Sequence, residues 1–138
     1  MATALEFHDS VLTALYWRED LLTAELDAYV HRSTGRPGID RGTGWQGLVR
    51  LSLAAGEVEG KADDLPLDLW GGGVEVGGKQ FANVLPIPSV FATPARVTLV
   101  CTSGLKIVLT GTRLDAVLVG EAAYVDEFPG QDSTGERP

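Results

Sequence analysis

The chain has 138 residues, enough for one domain with a core of its own. Its 19 acidic residues outnumber its 11 lysines and arginines, which gives a formal net charge of -8. Because nucleic acids and anionic membrane surfaces bind through clustered Lys and Arg, this balance argues against both as partners and is compatible with a basic partner or with simple solubility.

The first third of the chain predicts two strands joined by a polar turn. Residues 6–17 alternate between two faces, with apolar groups on both faces near the end. Residues 22–32 place Leu, Ala and Val on one face and mostly polar groups on the other, which is typical of a half-buried strand. A helix is the competing interpretation, because Ala, Leu and Glu favour helices, but the two-residue period favours a strand.

A long loop follows at residues 33–44, with four glycines and one proline. Long loops often carry function, so this loop is a candidate binding element that supplies Arg36 and Asp40. Residues 45–55 resume the strand pattern, and residues 56–64 indicate a polar surface connection.

Glycine and proline interrupt the next part of the chain. Three consecutive glycines, residues 71–73, lie inside the strand pattern of residues 65–76 and predict a bulge, a bend or the close approach of another backbone. Residues 81–94 contain three prolines, which lack the backbone N–H that a central strand needs. This segment is therefore predicted to be an edge strand or an ordered crossing.

The last part of the chain gives the clearest local signal. Residues 96–112 alternate on both sides of a Ser-Gly turn and predict a β-hairpin. Residues 116–119 and 122–128 predict one or two final strands. We therefore expect an all-β fold, a single-domain antiparallel β-sandwich of about seven to nine strands, with a small closed β-barrel as the alternative. The domain is expected to span residues 1–128, with residues 129–138 as a disordered polar tail.

Cys101 is the only cysteine, so no intrachain disulfide forms and the chain fits a reducing cytoplasm. It shares a predicted strand face with Val97 and Leu99 and has no basic neighbour, which predicts a buried, unreactive thiol. The first 17 residues show no signal peptide, and no apolar run approaches the ~20 residues of a membrane helix. We expect a cytoplasmic protein.

No motif predicts a catalytic residue, a metal site or a cofactor. Residues 7–10, Phe-His-Asp-Ser, contain the residue types of a hydrolytic triad, but neighbours on a strand point to opposite faces and are not expected to converge. The third of these polar residues is expected to bind backbone groups instead. Asp27 and His31 share a face, but four residues along a strand span about 13 Å, too far for one metal ion.

Aromatic and loop residues are the candidates for recognition. Two of the three tryptophans are expected to be buried, and Trp45, at the exit of the loop, is the one best placed for a ligand or a partner. The candidate binding residues are Tyr29, His31, Arg36, Asp40, Trp45 and Trp70.

Two short segments carry a resemblance. Residues 6–10, EFHDS, and residues 120–128, GEAAYVDEF, resemble segments of small bacterial all-β proteins, some of them similar to immunity proteins. The resemblance assigns no catalytic or binding residue. It implies a bacterial origin and, together with the acidic charge, an inhibitor of a basic toxin.

Three functions remain open. The leading hypothesis is a non-enzymatic binding or assembly module that acts through protein partners or as a homodimer, because open strand edges invite pairing with another chain. The alternative is a calycin-like barrel that carries a small apolar ligand, which a pocket above about 300 Å³ would support. The second alternative is a hydrolase that uses His8 or His31 with a carboxylate from a distant strand.

Overall fold

A computed structural model describes residues 2–130, which form eleven strands and no helix. The all-β class predicted from the alternation is confirmed. The strands are β1 (Ala2–Arg18), β2 (Leu21–Ser33), β3 (Gly42–Ala54), β4 (Glu57–Glu59), β5 (Leu67–Val76), β6 (Lys79–Ala82), β7 (Val84–Pro86), β8 (Ser89–Phe91), β9 (Ala95–Cys101), β10 (Lys106–Gly111) and β11 (Arg113–Phe128).

All strand pairs are antiparallel and form one sheet in the order β4-β10-β9-β5-β1-β2-β3-β11-β8. In addition, β6 pairs with β5 and β7 pairs with β1. The sheet is not closed, so the barrel alternative is wrong. Eleven strands are found instead of seven to nine because four of them, β4, β6, β7 and β8, are only three or four residues long.

The sheet buries one core between its two halves. The two halves meet where β1 pairs with β5 through only two residue pairs. Phe7 of β1, Leu26 of β2, Leu51 of β3, Leu99 of β9 and Leu109 of β10 are fully buried members of one apolar cluster. Burial of each such side chain contributes roughly 1.5–3 kcal/mol. The alternation in the sequence selects these residues because one face of every strand must point toward this cluster.

Two turn and glycine predictions are confirmed. β9 and β10 form the expected hairpin, and Gly104 in its turn has a φ of 92°. In β5 the register against β9 shifts between Leu69 and Gly71, which is a bulge. A Cβ at Gly72 would lie 2.6 Å from the carbonyl oxygen of Thr98, so only glycine fits this close approach of two backbones.

Other segments refine the predictions. The proline segment forms β7 and β8, and β8 ends the sheet as an edge strand. The last two predicted strands are one continuous strand, β11, and the first strand begins at Ala2 instead of residue 6. The predicted disordered tail falls mostly on residues 131–138, which lie outside the described residues. Residues 2–130 include no helix long and apolar enough to cross a membrane.

The single thiol is buried as predicted. Cys101 belongs to the apolar core, and burial raises the pKa of its thiol. A raised pKa keeps the thiol protonated, and a protonated thiol is a poor nucleophile and a poor metal ligand.

Candidate functional site

The polar residues of interest lie on the face of β1 and β2 that points away from the core. Leu5 of β1 and Val30 of β2 belong to the core, so their neighbours Glu6 and His31 point to the other face. We call this face the outer face. The 34–41 loop, which joins β2 to β3, lies beside it.

A buried acid–base pair occupies this end of the outer face. Glu6 and His31 are both buried, and the Oε2 atom of Glu6 lies 3.3 Å from the Nε2 atom of His31. Asn83 donates from Nδ2 to the Oε1 atom of Glu6 at 3.5 Å. The rings of Tyr29 and Phe128 meet the His31 ring edge-on, with centroids 4.8 and 4.5 Å away. A buried carboxylate needs such compensation, because removing it from water costs several kcal/mol.

The contact between Glu6 and His31 is ionic in character. Within residues 2–130, neither ring nitrogen of His31 has a hydrogen-bond partner of good geometry. Proximity to the carboxylate therefore satisfies the imidazole better than any directed bond does.

A β-bulge reshapes β1 next to this pair. The register between β1 and β2 shifts between Glu6 and Val11, and Asp9 has a φ of 69°. Ser10 stabilises the bulge, because its Oγ atom donates to the carbonyl oxygen of Glu6 at 2.6 Å and accepts from the backbone N–H of Tyr29 at 3.1 Å. The prediction that Ser10 binds backbone groups is confirmed.

The bulge brings together side chains that strict alternation would separate. The Nδ1 atom of His8 lies 3.1 Å from the Oδ2 atom of Asp9. The prediction that neighbouring residues here point to opposite faces is wrong, because a bulge breaks the two-residue period. Glu6, His8 and Asp9 each offer one ligand atom within 4.8 Å of the others. We call these three residues the bulge cluster.

Two further contacts fix the position of His8. Its backbone N–H donates to the Oδ1 atom of Asn83 at 2.9 Å. The exposed ring of Trp70 meets the His8 ring edge-on, with centroids 5.3 Å apart. Asn83 therefore contacts both Glu6 and His8 and links β1 to the segment between β6 and β7.

A groove of about 780 Å³ borders Glu6 on the outer face. Its walls are the start of β1, residues 35–39 of the loop and the segment from Phe81 to Pro86. The loop packs closely on β7, since a Cβ at Gly38 would lie 3.1 Å from Val84. The volume is within the range of roughly 300–1,000 Å³ that is usual for small-molecule sites. We call this space the groove.

The groove carries two charged residues in its lining, Glu6 and Arg36, and the second is already paired. The Oδ2 atom of Asp40 accepts from the backbone N–H of Arg36 at 2.7 Å and from its Nε atom at 3.2 Å. These hydrogen bonds, that of the backbone first, hold the pKa of Asp40 below its usual value. The ionised Asp40 neutralises Arg36, and the negative charge of Glu6 dominates the groove.

The predicted binding residues fall in separate places. Arg36 lines the groove, and Asp40 positions it. Tyr29 and His31 lie in the buried pair's surroundings. Trp70 contacts His8 but does not line the groove.

The tryptophans differ from expectation. Trp45 is half-buried against the core, with the guanidinium of Arg32 4.5 Å above its ring and the Tyr124 ring edge-on at 5.6 Å. It does not line the groove, although it seemed the best placed of the three. Trp17 and Trp70 are both exposed, so the prediction that two of the three are buried is wrong.

Sequence reasoning missed Glu6, Asp9 and Asn83 as parts of a site. The available signal was the Asp-Ser pair at residues 9–10, because Asp tolerates a left-handed φ and Ser binds backbone groups, a combination typical of a bulge. The partner Asn83 has no local signal, since it lies 77 residues from Glu6.

The described residues do not assemble a serine-type hydrolytic site. His31 is buried, and the Oγ atom of Ser10 is buried and engaged with backbone groups. The exposed pair of His8 and Asp9 has no hydroxyl or thiol nucleophile among its printed contacts. The arrangement is better suited to binding than to nucleophilic catalysis.

A second surface lies along β11. This strand pairs with β3 along most of its length, but on its other side it pairs with β8 only at residues 114–116. Within residues 2–130 no other strand pairs with that side. Val117, Tyr124 and Val125 are exposed there. We call residues 117–128 the open edge.

Comparisons of the chain with protein-family models, curated proteins and solved structures found no match.

Proposed function

We propose that the protein is a non-enzymatic binding module that holds a small, largely apolar ligand with one cationic group in the groove. The observation that supports this proposal is the presence of a nearly buried carboxylate, Glu6, in a groove of about 780 Å³ with mainly apolar walls. Concave, mostly apolar sites with a few fixed polar groups are the usual form of small-molecule sites.

The lining determines the class of ligand. Small and apolar side chains make up most of it: Ala2, Ala4, Ile39, Phe81, Ala82, Val84 and Pro86. An ammonium group donates charge-assisted hydrogen bonds to a carboxylate, and these are roughly twice as strong as neutral ones. The net charge of -8 also favours the approach of a cation. We therefore infer an amine with an aliphatic or aromatic body.

The proposed ligand does not occupy the interior of the sheet. The core side chains fill the space between its halves, and the sheet is not closed. The groove lies on the outer face, where the 34–41 loop supplies one wall. This loop, which the sequence marks as a candidate binding element, is thus part of the proposed site.

A pair of matched probes tests the proposal. Cyclohexylmethylamine and cyclohexylmethanol have the same body and differ in charge. Each is titrated into ¹⁵N-labelled protein while amide shifts are recorded. We expect the amine to shift the amides of Ala4, Gly38 and Val84 in a saturable way, and the alcohol to bind at least about tenfold more weakly.

Matched variants locate the site. Ala82→Trp fills the groove from an exposed position, and Ala123→Trp makes the same change at an exposed position on β11. We expect the first variant to lose amine binding and the second to retain it. Saturable shifts that Ala82→Trp leaves unchanged, or no saturable shift with either probe, would contradict the proposal.

The open edge favours a second candidate function, the binding of a protein partner. An unpaired strand edge with exposed apolar side chains can accept an extended segment of another chain. Glu121, Asp126 and Glu127 make this edge acidic. Two copies of the chain would bring acidic residues to both sides of the junction, so a basic partner fits better than a homodimer.

A designed peptide tests this candidate. An extended peptide of alternating Val and Lys is expected to bind, and its counterpart with Glu in place of Lys is not. Val125→Lys at the open edge is expected to weaken binding, whereas Val90→Lys on β8 serves as the control. A dimer in light scattering without peptide binding would favour self-association instead.

A further inference from the structure

We propose that the bulge cluster binds a divalent transition-metal ion such as Zn²⁺, with Glu6, His8 and Asp9 as its protein ligands. The proposal is independent of the ligand groove in two of its three residues, because His8 and Asp9 do not line the groove. It also departs from the sequence prediction, which assigned no metal site.

The geometry is close to that of a metal site. One ligand atom from each of Glu6, His8 and Asp9 lies within 4.8 Å of the other two. Zinc bonds of about 2.1 Å in a tetrahedral site place neighbouring ligand atoms about 3.4 Å apart. The Nδ1 atom of His8 and the Oδ2 atom of Asp9 already lie 3.1 Å apart. A small rotation of these two exposed side chains brings them to the spacing that an ion requires.

The donor set indicates the kind of ion. One imidazole nitrogen and two carboxylate oxygens suit Zn²⁺, Mn²⁺, Co²⁺ or Ni²⁺, and the absence of a thiolate among the three disfavours Cu⁺. Three protein ligands leave a fourth coordination position, and the exposure of His8 and Asp9 gives water or a ligand access to it.

Surrounding residues hold the ligands in place. His31 and Asn83 contact the two oxygens of the Glu6 carboxylate, and Asn83 also accepts the backbone N–H of His8. Partners of this kind orient metal ligands, and their loss usually weakens metal binding about 10–100-fold. Ser10 holds the bulge that brings Asp9 beside His8.

Charge supplies a second reason for a cation. The bulge places the carboxylates of Glu6 and Asp9 within 4.8 Å of each other, where two negative charges repel. The left-handed backbone of Asp9 adds a conformational cost at the same position. A divalent ion between the carboxylates turns the repulsion into attraction and offsets that cost.

Titration with Zn²⁺ alone tests the site. Isothermal titration calorimetry is run on the full chain and on the variants His8→Gln, Asp9→Asn and Glu19→Asn. Asp9→Asn removes the charge with a residue that tolerates a left-handed φ. Glu19→Asn is the matched control, because Glu19 is also an exposed acid with positive φ, at 59°, in a different turn.

We expect one saturable equivalent of Zn²⁺ in the parent chain and in Glu19→Asn, with affinity at least about tenfold weaker in His8→Gln and Asp9→Asn. Affinity should also fall as the pH is lowered, because the imidazole must be deprotonated to bind. Trp70 gives a second readout, since Ni²⁺ at His8 should quench its fluorescence and Trp70→Phe should remove that signal.

Two results would overturn the proposal: no saturable binding of Zn²⁺, or equal affinity in the parent chain and in the folded His8→Gln and Asp9→Asn variants. Thermal unfolding of each variant verifies that it is folded. Glu6→Gln is left out of this test because Glu6 also lines the groove. Failure of the metal site therefore leaves the amine test unaffected, and the reverse holds as well.

Discussion

Two acid–base pairs lie on the same outer face of β1, β2 and β3, and they differ in what covers them. In the first, the side chains of Glu6 and His31 are 7% and 1% exposed. In the second, those of Glu25 and Arg50 are 21% and 39% exposed, with a Nη2–Oε2 distance of 2.8 Å. Similar chemistry therefore occurs at a covered end and at an open end of one surface.

The comparison shows that cover decides how much each pair matters. The aromatic rings of Tyr29 and Phe128 pack on the covered pair, so loss of one partner leaves the other without compensation. The open pair is in contact with water, which replaces a lost partner at little cost. The groove and the bulge cluster both adjoin the covered pair, where the surface has fixed geometry.

The largest expected effect is at the covered pair. His31→Ala leaves the Glu6 carboxylate buried without its cation and opens a cavity under Tyr29 and Phe128. We expect a loss of about 3–5 kcal/mol in the free energy of unfolding, measured with urea. Glu25→Ala at the open pair should lose much less, and equal losses for the two variants would contradict the comparison.

Replacement of both covered residues sharpens this result. The double variant Glu6→Leu with His31→Leu removes both charges and keeps apolar volume. Its stability should lie closer to that of the parent chain than His31→Ala does, because an apolar pair has no charge to compensate. A double variant less stable than His31→Ala would mean that the pair contributes far more than charge balance.

The next effect concerns the aromatic cover. A Cβ at Gly44 would collide with the Tyr29 hydroxyl and the Asp126 carboxylate, which are hydrogen-bonded to each other at 2.6 Å. Gly44→Ala should therefore lose about 1–3 kcal/mol of stability. Gly71→Ala is the control, since nothing lies within 4 Å of its added Cβ. Equal thermal shifts for the two variants would show that the Tyr29 contact is not constrained.

A smaller effect is expected at the open pair. The hydrogen bond from Arg50 to Glu25 raises the pKa of Arg50, and the Tyr16 hydroxyl lies 3.3 Å from the same carboxylate. A double-mutant cycle with Glu25→Gln and Arg50→Gln should give a weak coupling that added salt reduces further. A coupling as strong as that at the covered pair would contradict the comparison.

The smallest effect is a pH dependence in the 34–41 loop. The folded-state pKa of Asp40 lies below the ordinary value of 3.8, so its contribution to stability is complete above that value and is lost as the pH falls through the lowered one. Asp40→Asn should be slightly less stable than the parent chain near pH 7, with the difference vanishing below about pH 3. A constant difference, measured by urea unfolding at both pH values, would contradict this assignment.

The inner face could be predicted from the sequence, and the outer face could not. Phe7 and Leu26 belong to alternating segments, and the need to bury one face of each strand places them in the core. The covered pair depends instead on a bulge and on Asn83, which lies 77 residues away from Glu6 along the chain. A two-residue period carries no information about either feature.

The candidate site was predicted in part for the same reason. The 34–41 loop and Arg36 were found because glycine, proline and charged residues in a long loop have a local signature. Trp45 was placed wrongly in the site because its packing against the core depends on the position of β3 in the sheet. His8 and Asp9 were separated by an alternation that the bulge interrupts.

The most direct test of the groove as a ligand site is a crystal structure of the protein soaked with cyclohexylmethylamine, with Glu6→Gln soaked in parallel. We predict that the amine lies in the groove with its nitrogen within hydrogen-bond distance, about 2.7–3.2 Å, of the Glu6 carboxylate, and that the variant leaves the groove without it. An amine bound elsewhere, or equally ordered in both crystals, would contradict the proposed function.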